Sequence, residues 1–127
     1  MRFDFAHSEI FLRDDGIIQM NSRNHTYTLQ DLKEINVAQG KISGGKRLPL
    51  LVVADQYSDI ESDAREFMAS FEATQFSSAE GYVLRSLGHK ILGNFYLKVN
   101  KPGVPTRFFN EETDALQWLL TYLPSAL

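Results

Sequence analysis

The run Leu48–Ala54 determines the architecture that this chain can adopt. It reads Leu-Pro-Leu-Leu-Val-Val-Ala and contains no polar residue. A strand with one face in water alternates apolar and polar residues, whereas a strand covered on both faces is continuously apolar and usually parallel to its neighbours. The run is also far shorter than the roughly 20 apolar residues that cross a membrane as a helix. We therefore predict a central strand in a sheet flanked by helices.

Two strand-like runs precede this central strand, at Glu9–Arg13 and Ile17–Ser22. Asp14-Asp15-Gly16 lies between them and supplies the positive φ that a tight hairpin turn requires. An antiparallel hairpin is therefore expected near the start of the chain. A helix follows from near Leu29, because Thr28-Leu29-Gln30-Asp31 has the spacing of a capping box. Its exit is expected at Ser43-Gly44-Gly45, where glycine permits a left-handed cap.

Helices and strands alternate after the central strand. The second predicted helix opens with Asp59, Glu61 and Asp63 and continues to Phe71, and a strand follows at Glu80–Arg85. The third predicted helix is capped by Ser86 and continues through Val99. A strand at Val104–Phe109 then precedes a last helix, which is capped by Asn110 and ended by Pro124. The stretch from Glu72 to Ser78 is open between a helical turn and a loop. The order β-β-α-β-α-β-α-β-α predicts one α/β domain over residues 1–127, with the hairpin joined to a largely parallel sheet.

Composition narrows the classes of function. The 127 residues are 43% hydrophobic and 23% charged, as expected for one globular domain. A formal charge of −3 provides no overall field that attracts nucleic acid or an anionic membrane. The chain contains no cysteine, which excludes disulfides, a thiol nucleophile and thiolate metal sites. Because Met1–Phe5 lacks the layout of a secretory signal, we expect a cytoplasmic protein without membrane insertion.

The sequence shows no motif for catalysis, a metal or a cofactor. His7, His25 and His89 are scattered, and none stands at a suitable spacing from another potential metal ligand. Ser43-Gly44-Gly45-Lys46 follows a helix instead of a strand, which favours a helix exit over a phosphate-binding loop. A noncatalytic protein without a cofactor is therefore predicted. The nominal catalytic candidates are Asp55, Tyr57 and His89.

The third predicted helix carries an unusually wide apolar arc. Its members are Leu87, Ile91, Leu92, Phe95, Tyr96 and Val99. Such an arc indicates either a helix buried between the sheet and its neighbours, or the wall of a ligand cavity or subunit contact. Gly88 and Gly93 leave room for close approach to the sheet or to a ligand. Nearby, Lys98, Lys101 and Arg107 form either a cationic rim or an ordinary solvated loop.

The C-terminal third of the chain resembles a known family. The segments that carry the resemblance are Gly93–Pro102, Pro105–Phe109 and Glu112–Leu119. They resemble bacterial SpoIIAA-like proteins of the STAS superfamily, over about Ser86 to Leu120, and the predicted order of elements fits the same fold across the chain. The resemblance implies a four- or five-stranded mixed sheet with helices mainly on one face. It also implies regulation or binding rather than turnover.

One branch of that superfamily, the anti-sigma-factor antagonists, is switched by phosphorylation of a serine in an Asp-Ser-Ser/Thr-Gly motif. The corresponding connection here runs from Asp55 to Ser62 and lacks the motif. The phosphoserine role is therefore not transferred by the resemblance. Ser58 and Ser62 stay open as modification sites or as simple helix caps, since a phosphate is favoured near a helix N-terminus.

The fold also resembles that of the CRAL-TRIO lipid-binding proteins, which implies a second mode of action. Leu92, Phe95 and Tyr96 are then the expected ligand or partner surface. We expect a noncatalytic regulatory or binding module that acts through protein–protein contacts, including a homodimer through the third helix or a sheet edge. The alternative is a carrier or sensor of a small apolar ligand.

Overall fold

Leu48–Val53 is an interior strand of the main sheet, as the apolar run predicts. The computed structural model describes residues 1–124. The strands are β1 (Arg2–Asp4), β2 (Ser8–Leu12), β3 (Ile18–Ser22), β4 (Thr26–Tyr27), β5 (Leu48–Val53), β6 (Asp59–Ile60), β7 (Ser77–Val83) and β8 (Thr106–Phe109). The helices are α1 (Leu29–Ser43), α2 (Ser62–Met68), α3 (Phe71–Thr74), α4 (Leu87–Phe95) and α5 (Glu112–Leu120), and a π-helical turn (Tyr96–Asn100) extends α4.

The main sheet has six strands in the order β1-β2-β3-β5-β7-β8. β2 is antiparallel to both of its neighbours, β1 and β3, whereas β3, β5, β7 and β8 are parallel. The predicted hairpin and the predicted mixed sheet are thus both confirmed. The sheet is larger than the four or five strands implied by the resemblance, because β1 adds an edge strand to the hairpin.

Local signals in the sequence placed the turns and caps of the first half correctly. Thr28 and Asp31 form the reciprocal capping box at the start of α1. Gly44 caps its end at φ 63°, and Gly16 occupies the hairpin turn at φ 90°. Both φ values lie in the region that a side chain disfavours, which explains glycine at these two positions.

Several predicted boundaries are wrong. The strand predicted at Glu80–Arg85 is β7, which spans Ser77–Val83, and the last helix ends at Leu120, before Pro124. The second helix begins at Ser62, because Asp59–Ile60 is taken up by β6, which pairs with β4 in a separate two-stranded sheet. Phe71 falls in the short helix α3, whose cap is Ser70. The last helix takes Glu111 as its N-cap without a side-chain hydrogen bond, so Asn110 lies one residue outside the cap position.

Helices cover both faces of the sheet unequally. Leu50 packs with α1 in one apolar cluster, while its neighbour Leu51 packs with α5 in another. Successive side chains of a strand point to opposite faces, so α1 and α5 lie on opposite sides of the sheet. Residues of α1, α2, α3 and α4 line a shared cavity on the Leu50 face. The helices therefore lie mainly on one face, as expected, and among residues 1–124 the helix that covers the other face is α5.

Candidate functional site

A cavity of about 190 Å³ lies between the Leu50 face of the sheet and the helices that cover it. Its apolar wall includes Met20, Leu32, Ile35, Leu50, Val52, Ile60, Phe67, Met68, Ala73, Leu84, Leu92 and Phe108. We call it the α4 cavity, because α4 closes it on the side of β7 and β8. Small domains contain few voids larger than a water molecule, so a cavity of this size is a candidate ligand site.

Helix α4 packs closely against the sheet because residue 93 is a glycine. A Cβ atom on Gly93 would lie 3.0 Å from Phe108 Cε2 and 3.2 Å from Leu84 Cδ1. That spacing is tighter than ordinary van der Waals contact, so glycine lets α4 approach β8 closely. A Cβ on Gly88 would meet nothing within 4 Å. Of the two glycines on the predicted helix, Gly93 provides the close approach and Gly88 does not.

The predicted surface of Leu92, Phe95 and Tyr96 is divided between two environments. Leu92 and Tyr96 line the α4 cavity, and Tyr96 is buried. Phe95 points outward, with 44% of its surface exposed, and the Arg65 guanidinium lies 5.1 Å from its ring centroid. The outward residues are Leu87, Ile91, Phe95 and Val99, which we call the α4 stripe. The wide apolar arc is therefore partly the wall of a cavity and partly an exposed surface.

A chain of hydrogen bonds crosses the floor of the cavity. Gln39 Nε2 donates to Ser77 Oγ at 2.9 Å, and Ser77 Oγ donates to Glu80 Oε2 at 2.7 Å. Tyr82 OH donates to Glu80 Oε1 at 2.9 Å. Burial raises the pKa of the Glu80 carboxyl, against the opposing effect of the bonds from Ser77 and Tyr82. Burial, followed by the nearby Glu80 charge, also raises the pKa of Tyr82 well above its usual value.

Four further polar atoms of the residues that line the cavity are buried without a hydrogen-bond partner in the part of the chain that the structure describes. They are Asn36 Oδ1, Arg65 Nε, His89 Nδ1 and the Tyr96 hydroxyl. His89 Nε2 lies 2.7 Å from the Ser58 carbonyl oxygen, which can only accept, so Nε2 carries the proton. In the neutral ring, His89 Nδ1 is then a hydrogen-bond acceptor. Burial and the Glu80 charge both raise the pKa of Tyr96, so its hydroxyl stays protonated.

The nominal catalytic candidates are not gathered in one place. Of Asp55, Tyr57 and His89, only His89 lines the α4 cavity. Asp55 Oδ1 accepts a hydrogen bond from the Tyr57 backbone, and the Tyr57 side chain is exposed. This arrangement is an ordinary turn in which the aspartate bonds the backbone two residues later.

Ser58 and Ser62 have different surroundings. Ser58 Oγ donates to the Asp55 carbonyl oxygen at 2.7 Å, and the residue lies at the margin of the α4 cavity. Ser62 is exposed at the first position of α2, where Glu61 is the N-cap. Neither serine therefore caps the helix.

The cationic residues near the end of α4 do not form one rim. Lys98 and Lys101 are exposed in and after the π-helical turn. Arg107 lies on the opposite face of the sheet, with its guanidinium carbon 5.2 Å from the Phe109 ring and 5.5 Å from the Trp118 ring. Side chains alternate along a strand, so Arg107 points away from the face to which its neighbour Phe108 contributes.

The histidines are less scattered than their positions in the sequence indicate. The rings of His7 and His25 lie 5.4 Å apart, and His25 Nε2 is 2.8 Å from Asp31 Oδ2. The pairing of β2 with β3 and the start of α1 bring these residues together. Among residues 1–124, no group of three or more His, Asp or Glu side chains is arranged to hold a metal ion.

Sequence reasoning missed most of the polar residues of the cavity. Asn36 and Gln39 lie on the buried side of α1, and Arg65 lies on α2. Glu80 had the clearest signal, because it is the lone acid of the strand predicted at Glu80–Arg85, in a sheet expected to be flanked by helices. A buried charge is rare unless it is paired or hydrogen-bonded, which makes such a position worth testing for a polar network.

A family match covers most of the chain. Residues 10–123 match the family described as "Domain of unknown function (DUF7793)". The chain belongs to this family. No curated protein has significant sequence similarity to this DUF7793 protein.

Solved structures extend the comparison to the fold. The protein is similar to an uncharacterized protein of the DUF3478 family with a SpoIIAA-like fold from Shewanella loihica PV-4, at 14% identity and a TM-score of 0.65, over 94% of this chain and 98% of that chain. The SpoIIAA-like fold expected from the sequence is thereby confirmed. A protein of unknown function from Arthrobacter sp. FB24 shares 29% identity over 87% of this chain and 90% of that chain, at a TM-score of 0.32.

The helices of this DUF7793 protein are short. Within residues 1–124, none has both the length and the apolar character that crossing a bilayer would require.

Proposed function

We propose that this protein is a noncatalytic regulatory or binding module whose ligand site is the α4 cavity. The observation that carries the proposal is a mainly apolar cavity of about 190 Å³ between the sheet and the helices that cover it. An apolar cavity of about 150 Å³ is large enough to hold benzene. A molecule of the size of a substituted aromatic ring or a short branched aliphatic chain therefore fits the α4 cavity.

The engagement of the polar groups supports binding rather than turnover. Both carboxyl oxygens of Glu80 already accept hydrogen bonds from within the sheet. His89 Nε2 is committed to a backbone carbonyl and His89 Nδ1 is buried, so neither ring nitrogen is open to a substrate proton. A general base needs hydrogen-bond access to the proton that it removes.

The absence of cysteine supports a reducing compartment, and with it the cytoplasmic location expected from the sequence.

Native mass spectrometry of protein purified gently from the cells that make it tests this function. We expect a small-molecule mass that accompanies the folded protein and is lost on denaturation. Ala73 lines the cavity, so Ala73→Leu fills part of it and should abolish the bound mass. Ala6 is exposed outside the cavity, so Ala6→Leu is a matched control that should retain the mass. Wild-type protein free of any bound molecule, or retention by Ala73→Leu, would contradict the proposal.

A second candidate function is regulation through protein–protein contacts, and the α4 stripe favours it. Leu87 and Ile91 are 74% and 62% exposed. The segment from Arg85 to Asn110 contains no Asp or Glu, although the whole chain has a net charge of −3. A partner with an apolar surface bordered by acidic side chains complements this segment. Two copies paired through the stripe would bring basic helices together, which disfavours a homodimer at this surface.

The substitution Ile91→Asp tests the protein-contact function. It places a charge in the α4 stripe, whereas Val37→Asp places the same charge at an exposed position of α1. A partner retained by the Val37→Asp protein and lost by the Ile91→Asp protein would support contact through the stripe. Equal retention by both variants would contradict it. Light scattering at increasing concentration tests self-association separately, and a monomer throughout would remove the homodimer.

A further inference from the structure

We infer that the outer edge of β1 is a self-association surface, at which a second copy of this chain pairs its own β1 antiparallel and extends the main sheet. β1 stands at the end of the sheet order, so within residues 1–124 its pairing partner is β2 alone. No residue of β1 lines the α4 cavity or belongs to the α4 stripe. The inference is therefore independent of the proposed ligand site and goes beyond it.

The backbone groups of β1 are divided between its two edges. Phe5 N–H, just after the strand, donates to the Ser8 carbonyl oxygen of β2 at 2.7 Å. In an antiparallel pair, successive residues direct their N–H and C=O groups alternately towards the partner and away from it. Phe3 therefore also faces β2, whereas Arg2 and Asp4 direct their N–H and C=O groups outward. These outward groups are the ones that a further strand would pair.

The opposite charges of Arg2 and Asp4 select one register for two copies of β1. When the copies pair antiparallel about Phe3, Arg2 of each lies opposite Asp4 of the other, and each such pair exchanges both N–H···O bonds. Registers centred on Arg2 or on Asp4 keep the backbone pairing but place like charges directly opposite, which is destabilising. Charges on a short edge strand usually prevent edge pairing. Here their alternation in sign leaves open the self-complementary register of a twofold dimer.

The other face of β1 is apolar and borders an open groove. Phe3 and Phe5 are partly buried against the apolar cluster under α1. They also line a groove of about 440 Å³ between β1 and α1. Pairing about Phe3 places the two copies of this residue in a non-hydrogen-bonded pair, where side chains approach most closely, and joins the two grooves. The dimer would thereby cover apolar surface as well as backbone.

The charges beside the outward edge are balanced. Within one copy, the Arg2 guanidinium donates to Asp4 and to Glu9. Arg23 donates to the Phe5 carbonyl oxygen at 2.6 Å. Two arginines and two acids therefore lie beside β1 in each copy, and in the dimer each Arg2 would sit between acids of both copies.

The groove itself carries a small excess of positive charge. Its charged residues are Lys33, Glu34 and Lys41 of α1. Both lysines are exposed, so solvent screens their repulsion across the joined grooves. This repulsion weakens the dimer without changing its register.

The opposite edge strand, β8, does not offer the same self-pairing. Thr106–Phe109 contains Arg107 and no acid, so two copies paired there would bring arginines together without a counter-charge in the strand. Pro105 precedes the strand and lacks the N–H that a further ladder bond would need. β1 is therefore the edge at which a second copy fits.

Sedimentation velocity of the full chain tests the association. β1 has three residues, so the interface is small, and we expect a dissociation constant of about 10–100 μM. Measurements from about 1 μM to 1 mM span that range. Arg2→Glu and Asp4→Arg should each raise the dissociation constant about tenfold, because each places like charges opposite one another twice in the dimer.

An equimolar mixture of the two variants should associate as tightly as the wild-type protein. In the mixed dimer, the introduced glutamate faces the introduced arginine, and the unchanged Asp4 faces the unchanged Arg2. A variant that failed to fold would not be rescued in this way. Glu72→Arg is the control, because it makes the same change of charge as Asp4→Arg at an exposed position of α3. It should leave the dissociation constant unchanged.

The possible results separate this surface from other contacts. A monomer at every concentration would overturn the inference, and it is the result expected if β1 pairs with a strand of a different protein. A dimer that survives both single substitutions lies at another surface, which also overturns it. Loss in both variants without recovery in the mixture would overturn the pairing of Arg2 with Asp4, whereas recovery supports it. The α4 cavity is tested separately by its bound mass, so either proposal can fail without the other.

Discussion

Replacing Tyr96 by phenylalanine should make the protein more stable. The Tyr96 hydroxyl is buried, and no donor or acceptor in the described residues satisfies it. An unsatisfied buried polar group costs about 1–3 kcal/mol of folding free energy. Phenylalanine keeps the ring and removes only the hydroxyl, so we expect the free energy of unfolding to rise by about 1–3 kcal/mol. For a chain of 127 residues, each 1 kcal/mol corresponds to roughly 3–6 °C in Tm.

Tyr82→Phe is the matched substitution with the opposite expected sign. The Tyr82 hydroxyl donates to Glu80 Oε1 at 2.9 Å, so its removal takes a donor from a buried carboxyl group. Leaving a buried acceptor without its donor costs about 1–3 kcal/mol. Urea unfolding, followed by the fluorescence of the single tryptophan Trp118, measures both variants. A fall of 1 kcal/mol or more for Tyr96→Phe would refute the reasoning, because it would show that the hydroxyl already has a partner.

Three other substitutions test separate parts of the structure. Leu119→Ala removes a fully buried side chain from the α5 face and should lower the free energy of unfolding by about 2–5 kcal/mol in urea, without changing ligand binding in the α4 cavity. Thr28→Ala removes the capping box of α1 and should cost about 1 kcal/mol by the same assay. Burial raises the pKa of Glu80 above its ordinary 4.5, so the folded protein binds more protons than the unfolded chain from about that pH up to the raised value. Glu80 therefore lowers the free energy of unfolding as the pH rises through that window. In Glu80→Gln, the free energy of unfolding, measured in urea at successive pH values, should fall less steeply with pH. An unchanged dependence on pH would assign the effect to other groups.

The features that were predictable from the sequence are those set by near neighbours in the chain. Thr28 and Asp31 are three positions apart, and the turn at Gly16 is defined by the residues around it. The short strands β4 and β6 were missed because each exists only through pairing with the other, across more than 30 residues of chain. The edge strand β1 depends in the same way on its pairing with β2.

The α4 cavity was predictable only in part. Periodicity identified Leu92 and Tyr96 as members of an apolar arc, but it could not tell which half of the arc faces the sheet. The contact of Gly93 with Phe108 decides this, and it is a long-range contact. The polar atoms of Asn36 and His89 come from different helices, so no local spacing connects them. Only the folded structure shows that both residues line one cavity.

A crystal structure with bound 4-bromophenol is the most direct test of the α4 cavity as a ligand site. The anomalous signal of bromine locates the ligand independently of the protein density. We predict one bromine peak between β5, β7 and α4, among the apolar side chains that line the cavity. Bromine found only on the outer surface, with the cavity empty at saturating ligand, would contradict the account.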